Sequence, residues 1–169
     1  MSTLGHAPRV VGIYRSADLP TGTRDVVLGL WQVSDPGNVG ALLRSADAFG
    51  AAVALSPECA DPLSPRALRA SAGAIFRVPL VDWGELPERS VALVAHEGDP
   101  LANVALEPPL VFLLGSERDG LPDELVASAL RVSIPTPGDA ESLNVAAAGA
   151  IALYELARRG AGPDSVLRR

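Results

Sequence analysis

The chain has 169 residues, 48% of them apolar and only 4% aromatic, enough for one folded domain whose core must be built from Val, Leu, Ile and Ala. Its net charge is −6 and all 14 basic residues are arginines, a balance that by itself points to a small-molecule enzyme rather than to a binder of phosphate backbones. No apolar run is long enough to cross a membrane. The opening MSTLGHAPRV lacks a secretory pattern, and the single Cys59 excludes an internal disulfide, so the cytoplasm is the expected compartment.

Residues 1–24 are weakly patterned. VVLGLWQV (26–33) reads as a buried strand, with Trp31 in the core. DPGN (35–38) then opens a helix in which Val39, Leu42, Leu43, Ala46 and Phe49 recur at helical spacing, and Gly50 is placed to cap its C-terminus. AAVALS (51–56) is the next strand. Ser64 and Pro65 start a short helix that runs to about Ala72 and is ended by Gly73. IFRVPL (75–80) reads as a strand and 82–90 as loop. VALVAHE (91–97) and LVFLLG (110–115) are strands, PDELVASAL (122–130) a helix, RVSIP (131–135) a strand and 142–159 the last helix. Short buried strands alternating with helices predict an α/β domain with a mostly parallel sheet and helices on both faces.

Ligands of open α/β sheets bind just past the C-terminal ends of strands, and three such segments carry polar residues and glycines. In DPGNVGALLRSADAFGA (35–51), Asn38 stands at the helix entrance and Arg44 on a later turn. They are six residues apart, so they do not share a stripe. Taken alone, Asn38 reads as a cap and Arg44 as a solvated charge. In LVFLLGSERDGLPDEL (110–125), Gly115 lets a ligand approach the backbone and Glu117 can accept hydrogen bonds or meet an arginine. The spacing fits neither a GxGxxG loop nor a lysine-bearing P-loop. In IPTPGDAESLNVAAAGAIALYEL (134–156), Ser142, Leu143 and Asn144 lead into a helix with one very slim face, suited to a sheet, a partner helix or a flat ligand.

Together, NVGALLRSADAFGA, LLGSERDGLP and IPTPGDAESLNVAAAGAIALYE resemble the three motifs of the SpoU (TrmH-like) class of the SPOUT methyltransferase superfamily. The resemblance runs from about Val26 to Arg158, and DPLSPRALRASAGAIFRVPL (61–80) fits the stretch between the first two motifs. It implies a short extension over 1–25, a catalytic domain over 26–160 and a tail over 161–169. It also implies a deep C-terminal trefoil knot, which topology rules would not suggest. The implied activity is transfer of a methyl group from S-adenosyl-L-methionine to a ribose 2′-hydroxyl of tRNA or rRNA, leaving S-adenosyl-L-homocysteine, by a metal-free homodimer.

Carried over by motif, Leu114, Gly115, Ile134, Pro135, Ser142, Leu143 and Asn144 would hold the donor. Arg44, Asn38, Glu117, Ser142 and Asn144 would form the catalytic set. Arg44 resembles the motif-one arginine. A guanidinium with a pKa above about 12 is a poor base, so a positioning role for it is expected, with Glu117 orienting Arg44 or Asn38. Whether phosphate, water or Arg44 accepts the proton stays open. Arg44, Arg66, Arg69 and Arg77 are candidates for RNA contact, with Arg158, Arg159, Arg168 and Arg169 beside them. Many relatives carry a separate RNA-binding domain ahead of the catalytic one. Here some 25 residues precede the first strand, so the catalytic dimer acting alone, a longer parent chain or a partner are all open routes to RNA. Cys59 reads as a spectator thiol, and His6 and His96 as structural or solvated. Two other readings remain: a relative that binds RNA but no donor, and a small-molecule α/β enzyme.

Overall fold

The computed structural model describes residues 12–138 and 141–160. Seven strands form one sheet in the order β3-β2-β1-β6-β4-β7-β5, and every pairing is parallel. In chain order they are β1 (Val26–Leu30), β2 (Ala52–Leu55), β3 (Leu80–Val81), β4 (Ser90–Leu93), β5 (Asp99–Pro100), β6 (Leu110–Leu114) and β7 (Leu130–Ser133). The helices are α1 (Pro36–Phe49), α2 (Pro65–Ser71), α3 (Asp123–Ala127) and α4 (Val145–Gly160).

A parallel sheet is covered on both faces, so its strands read as unbroken apolar runs. Leu28, Leu30, Val53, Leu110, Phe112 and Leu114 face the larger core, which α1, α2 and α4 close. Val27, Ala52, Ala54, Val111 and Leu113 face the other side, under Trp83, Leu86, Leu121, Leu125 and Ala129. Helices thus lie on both faces, but the second cover is thin.

Capping sets the helix ends. The Asp35 carboxylate accepts from Gly37 N (2.6 Å) and Asn38 N (3.0 Å), Pro36 occupies the first turn, and Gly50 closes α1 at φ +70°. The cap is therefore Asp35, not Asn38. Ser64 Oγ caps α2 through Ala67 N. Asn144 Oδ1 accepts from Ala146 N (2.9 Å) and Ala147 N (3.2 Å), which starts α4 at Val145 and leaves Ser142 and Leu143 outside the helix.

Four readings of the sequence are corrected. IFRVPL is not a strand: Ala74–Phe76 is a 3-10 turn and only Leu80–Val81 pairs. The first strand stops at Leu30, because Gln32 adopts φ +50° and its N–H donates to Ser56 Oγ. Trp31 therefore lies beyond the strand, half-buried, with its ring 5.6 Å from that of Trp83. The helix expected over 122–130 covers only Asp123–Ala127, since Leu130 already belongs to β7. The short edge strand β5 was not foreseen. The expectations for His6 and for the tail arginines Arg168 and Arg169 fall outside the described residues.

Candidate active site

Because all strands run one way, the loops after β1, β4, β6 and β7 gather at a single rim. Each is built by a local constraint. After β6, Ser116 and Gly120 exchange backbone hydrogen bonds (both 3.1 Å), and Ser116 Oγ accepts from Asp119 N (3.1 Å). Gly115 lies so close beneath this turn that a Cβ there would stand 2.1 Å from the Gly120 carbonyl carbon. After β4, Val94 N donates to Val132 O (2.9 Å) and Ser133 Oγ donates to Gly98 O (2.9 Å), pinning the loop that carries His96 against β7.

Glu117 ties the motifs together. Its Oε1 accepts from Asn38 Nδ2 (2.8 Å) and Asp35 N (3.3 Å), and its Oε2 from Ser34 N (3.2 Å) and Ser34 Oγ (3.3 Å). Asn144 Nδ2 in turn donates to Asn38 Oδ1 (3.0 Å). One polar chain therefore runs from the turn after β6, through Asn38 at the N-terminus of α1, to the N-terminus of α4. Partial burial pushes the Glu117 carboxyl up, but the bonds from Asn38, its own backbone, Ser34 and Asp35 outweigh it, and the net shift is below the ordinary carboxylate range. With four donors already on its two oxygens and its ionised form favoured, Glu117 is an orienting group and a poor candidate for a base.

Between these loops lies a cavity of about 570 Å³, within the range of small-molecule sites. Of the donor-site candidates, Leu114, Gly115, Ile134, Ser142, Leu143 and Asn144 line it; Pro135 does not. Of the catalytic candidates, Glu117, Ser142 and Asn144 line it. Asn38 reaches it only through Glu117 and Asn144, and Arg44 is exposed on α1, is not among the lining residues and forms no ion pair with Glu117.

The RNA candidates divide. Arg66 pairs with Asp35 (2.9 Å), Arg77 with Asp47 (2.6 Å), and Arg158 and Arg159 with Glu155; Arg159 also donates to the carbonyls of Val104 and Leu101. Arg44 and Arg69 form no ion pair with any described residue. Sequence reasoning missed Ser34 and Asp35 as partners of Glu117, and His96 and Arg118 as lining residues. Position was the available signal for the last two, since both follow the C-terminal ends of central strands. No cluster of metal-binding side chains occurs among the described residues. Cys59 Sγ donates to Leu30 O (3.2 Å), in keeping with a spectator thiol.

Residues 25–154 match the model of the SpoU rRNA Methylase family. The chain belongs to that family. It is 44% identical over 131 residues to "Ribosomal RNA small subunit methyltransferase G 2" of Syntrophobacter fumaroxidans, covering 75% of this chain and 26% of that protein. It is 34% identical over 141 residues to a 23S rRNA (guanosine(2553)-2′-O)-methyltransferase of Bacillus subtilis, covering 77% and 57%. Among solved structures it resembles an AdoMet-bound rRNA methyltransferase from Sinorhizobium meliloti, at a TM-score of 0.74 and 34% identity, over 85% of this chain and 59% of that one. The chain thus spans a quarter to rather more than half the length of these relatives. A SpoU-type sheet and rim loops are what the family reading of the sequence anticipated.

Proposed function

We propose that this SpoU-family chain is an RNA (ribose-2′-O)-methyltransferase that takes its methyl group from S-adenosyl-L-methionine. The observation that carries the reading is the cavity itself: the turn after β6 and the segments 134–136 and 141–145 converge on it, and Gly115 has no room for a side chain beneath the turn. The AdoMet-bound relative and the 2′-O-methyltransferase relative support it.

The residues present fit the donor. Leu114, Ile134 and Leu143 offer an apolar lining for a flat base, Gly115 exposes backbone, and Ser142 and Asn144 add polar groups at the edge. When bound, S-adenosyl-L-methionine supplies a methyl group on a sulfonium sulfur, open to in-line displacement. Everything else falls to the chain. Glu117, Asn38 and Asn144 hold three rim segments in fixed relation, so the hydroxyl and the methyl meet in one geometry, the kind of positioning worth several orders of magnitude. Arg44 positions the ribose or its phosphate. It does not line the cavity of its own chain, which favours delivery from a second copy.

A homodimer suits the surface. Phe49, Ile151 and Tyr154 are exposed at 39%, 37% and 57%, and the Phe49 and Tyr154 rings meet edge to face at 6.5 Å across α1 and α4. The passage from β6 through β7 to α4 is read as the family's knotted return, and the cytoplasm as its site of action. No described helix is long and apolar enough to cross a membrane. Incubating the chain with methyl-labelled S-adenosyl-L-methionine and unmodified tRNA or rRNA, then digesting to nucleosides, tests the activity. Labelled 2′-O-methyl nucleosides are expected; label on a base, or none, contradicts it.

A further inference from the structure

An acidic chain that works on RNA needs a cation where the substrate sugar meets the donor, and more than half of its described arginines are already in ion pairs. Arg66 and Arg77 are held by aspartates and Arg159 by a glutamate and two carbonyls. Around the cavity the charged groups are Glu117, Arg118, Asp119 and Glu141, with His96 on the facing loop. Arg118 is the one arginine in that lining. It is exposed and forms no ion pair with any described residue.

Its backbone lies within a closed turn of the rim. Arg118 stands at the apex of the turn closed by the Ser116–Gly120 hydrogen-bond pair and by Ser116 Oγ on Asp119 N, with Gly120 at φ +70°. Its neighbour Glu117 is tied to Ser34, Asp35 and Asn38. The guanidinium is thus free while its base is fixed, the arrangement that lowers the entropy lost on capturing a ligand.

We propose that Arg118 holds the 3′-phosphate of the nucleotide undergoing methylation, beside an Arg44 that positions the ribose. The inference rests on the methyltransferase reading above. In RNA the 3′-phosphate is carried on the ribose carbon next to the one bearing the 2′-hydroxyl. A planar fork that grips this phosphate in two hydrogen bonds therefore fixes where the hydroxyl stands. Asp119 and Glu141, which line the same cavity, would repel phosphates elsewhere along the backbone and so favour one register.

The test compares wild type with Arg118→Ala, Arg118→Lys and, as a charge-matched control far from the cavity, Arg89→Gln. Binding of a fluorescein-labelled single-stranded RNA oligonucleotide is followed by anisotropy across a salt series, and binding of S-adenosyl-L-homocysteine by calorimetry. Arg118→Ala is expected to weaken RNA binding about fivefold to tenfold at low salt and to lower the salt slope by about 0.7, the share of one contact on a single strand. Donor-product affinity stays at the wild-type value, Arg118→Lys recovers the slope, and Arg89→Gln changes neither. An unchanged slope in Arg118→Ala overturns the proposal. So does a loss of S-adenosyl-L-homocysteine affinity, which would make Arg118 a contact of the donor's carboxylate. A wild-type chain that binds neither probe would instead sink the methyltransferase reading, and this proposal with it.

Discussion

The two rims of the sheet are built on different plans. Beyond the C-terminal ends of the strands, Asn38, Glu117 and Asn144 come from segments 79 and 106 residues apart and share one continuous hydrogen-bonded chain around a void. Beyond the N-terminal ends, Arg77 meets Asp47, Arg24 donates to Arg77 O, and Tyr14 touches Phe76 edge to face at 4.9 Å, each an exposed contact between two residues that do not line the cavity. Exposed pairs of this kind contribute about 0–1 kcal/mol each, whereas removing the Glu117 carboxylate breaks several charge-assisted hydrogen bonds at once. Side chains that answer to three segments at once are placed to hold a ligand, and side chains that answer to one neighbour only dress a closed end.

Substitutions can break this contrast, and the largest effect is expected at Arg44. Arg44→Ala should lower methyl transfer by at least about 100-fold while donor affinity stays intact, because the role proposed for the residue is to position the sugar and not to hold the donor. Single-turnover assays paired with donor titration check this, and normal turnover would remove the role assigned to it. Next comes the glycine pair. In Gly115→Ala the new methyl would meet backbone at 2.1 Å and 2.3 Å, so the turn must move and donor affinity should fall at least about tenfold. At the opposite rim Gly50→Ala would meet only Arg24 Nη1, at 3.8 Å, but keeps φ +70°, so it should cost about 1 kcal/mol of stability and leave the donor site untouched. Calorimetric titration and urea unfolding separate the two.

Much of this arrangement was legible in the sequence. The runs at β1, β2 and β6 announce themselves because both faces of a parallel strand are apolar. Asp35-Pro36, Ser64-Pro65 and Gly50 mark helix ends by their capping chemistry. IFRVPL misled for a physical reason: Ala74, Ile75 and Val78 are fully buried, yet Val78 N returns to Ala74 O (2.9 Å), so the apolar run packs as a turn under the sheet. At the site, the resemblance pointed to Glu117 and Asn144, but nothing local reveals that Glu117 answers to Ser34 and Asp35, 83 and 82 residues away. His96 carries no motif of its own, and Arg118, although inside LLGSERDGLP, is given no role by the motif; only the gathering of loops at one rim gives them a place.

Smaller effects sharpen the comparison. Glu117→Ala strips an acceptor from four donors and should cost about 1–3 kcal/mol, against about 0–1 kcal/mol for Arg77→Ala, by urea unfolding of both variants. The smallest effect concerns acid. Arg158 and Arg159 hold the Glu155 carboxyl down to about 2 from its usual 4.5. A depressed carboxylate contributes stability that is fully present above its unfolded value and is lost as pH falls through the folded one. Glu155→Gln should therefore flatten the stability profile between about pH 4.5 and pH 2. Identical acid limbs in the two proteins would contradict the assignment.

On the proposed reading, the rim loops after β6 and β7 form a donor pocket. Crystals grown with S-adenosyl-L-homocysteine test it most directly. The account predicts one molecule per chain, seated against Gly115, Ile134 and Leu143, with the Glu117–Asn38–Asn144 chain of hydrogen bonds intact. A ligand bound elsewhere, or an empty pocket at saturating concentration, would contradict it.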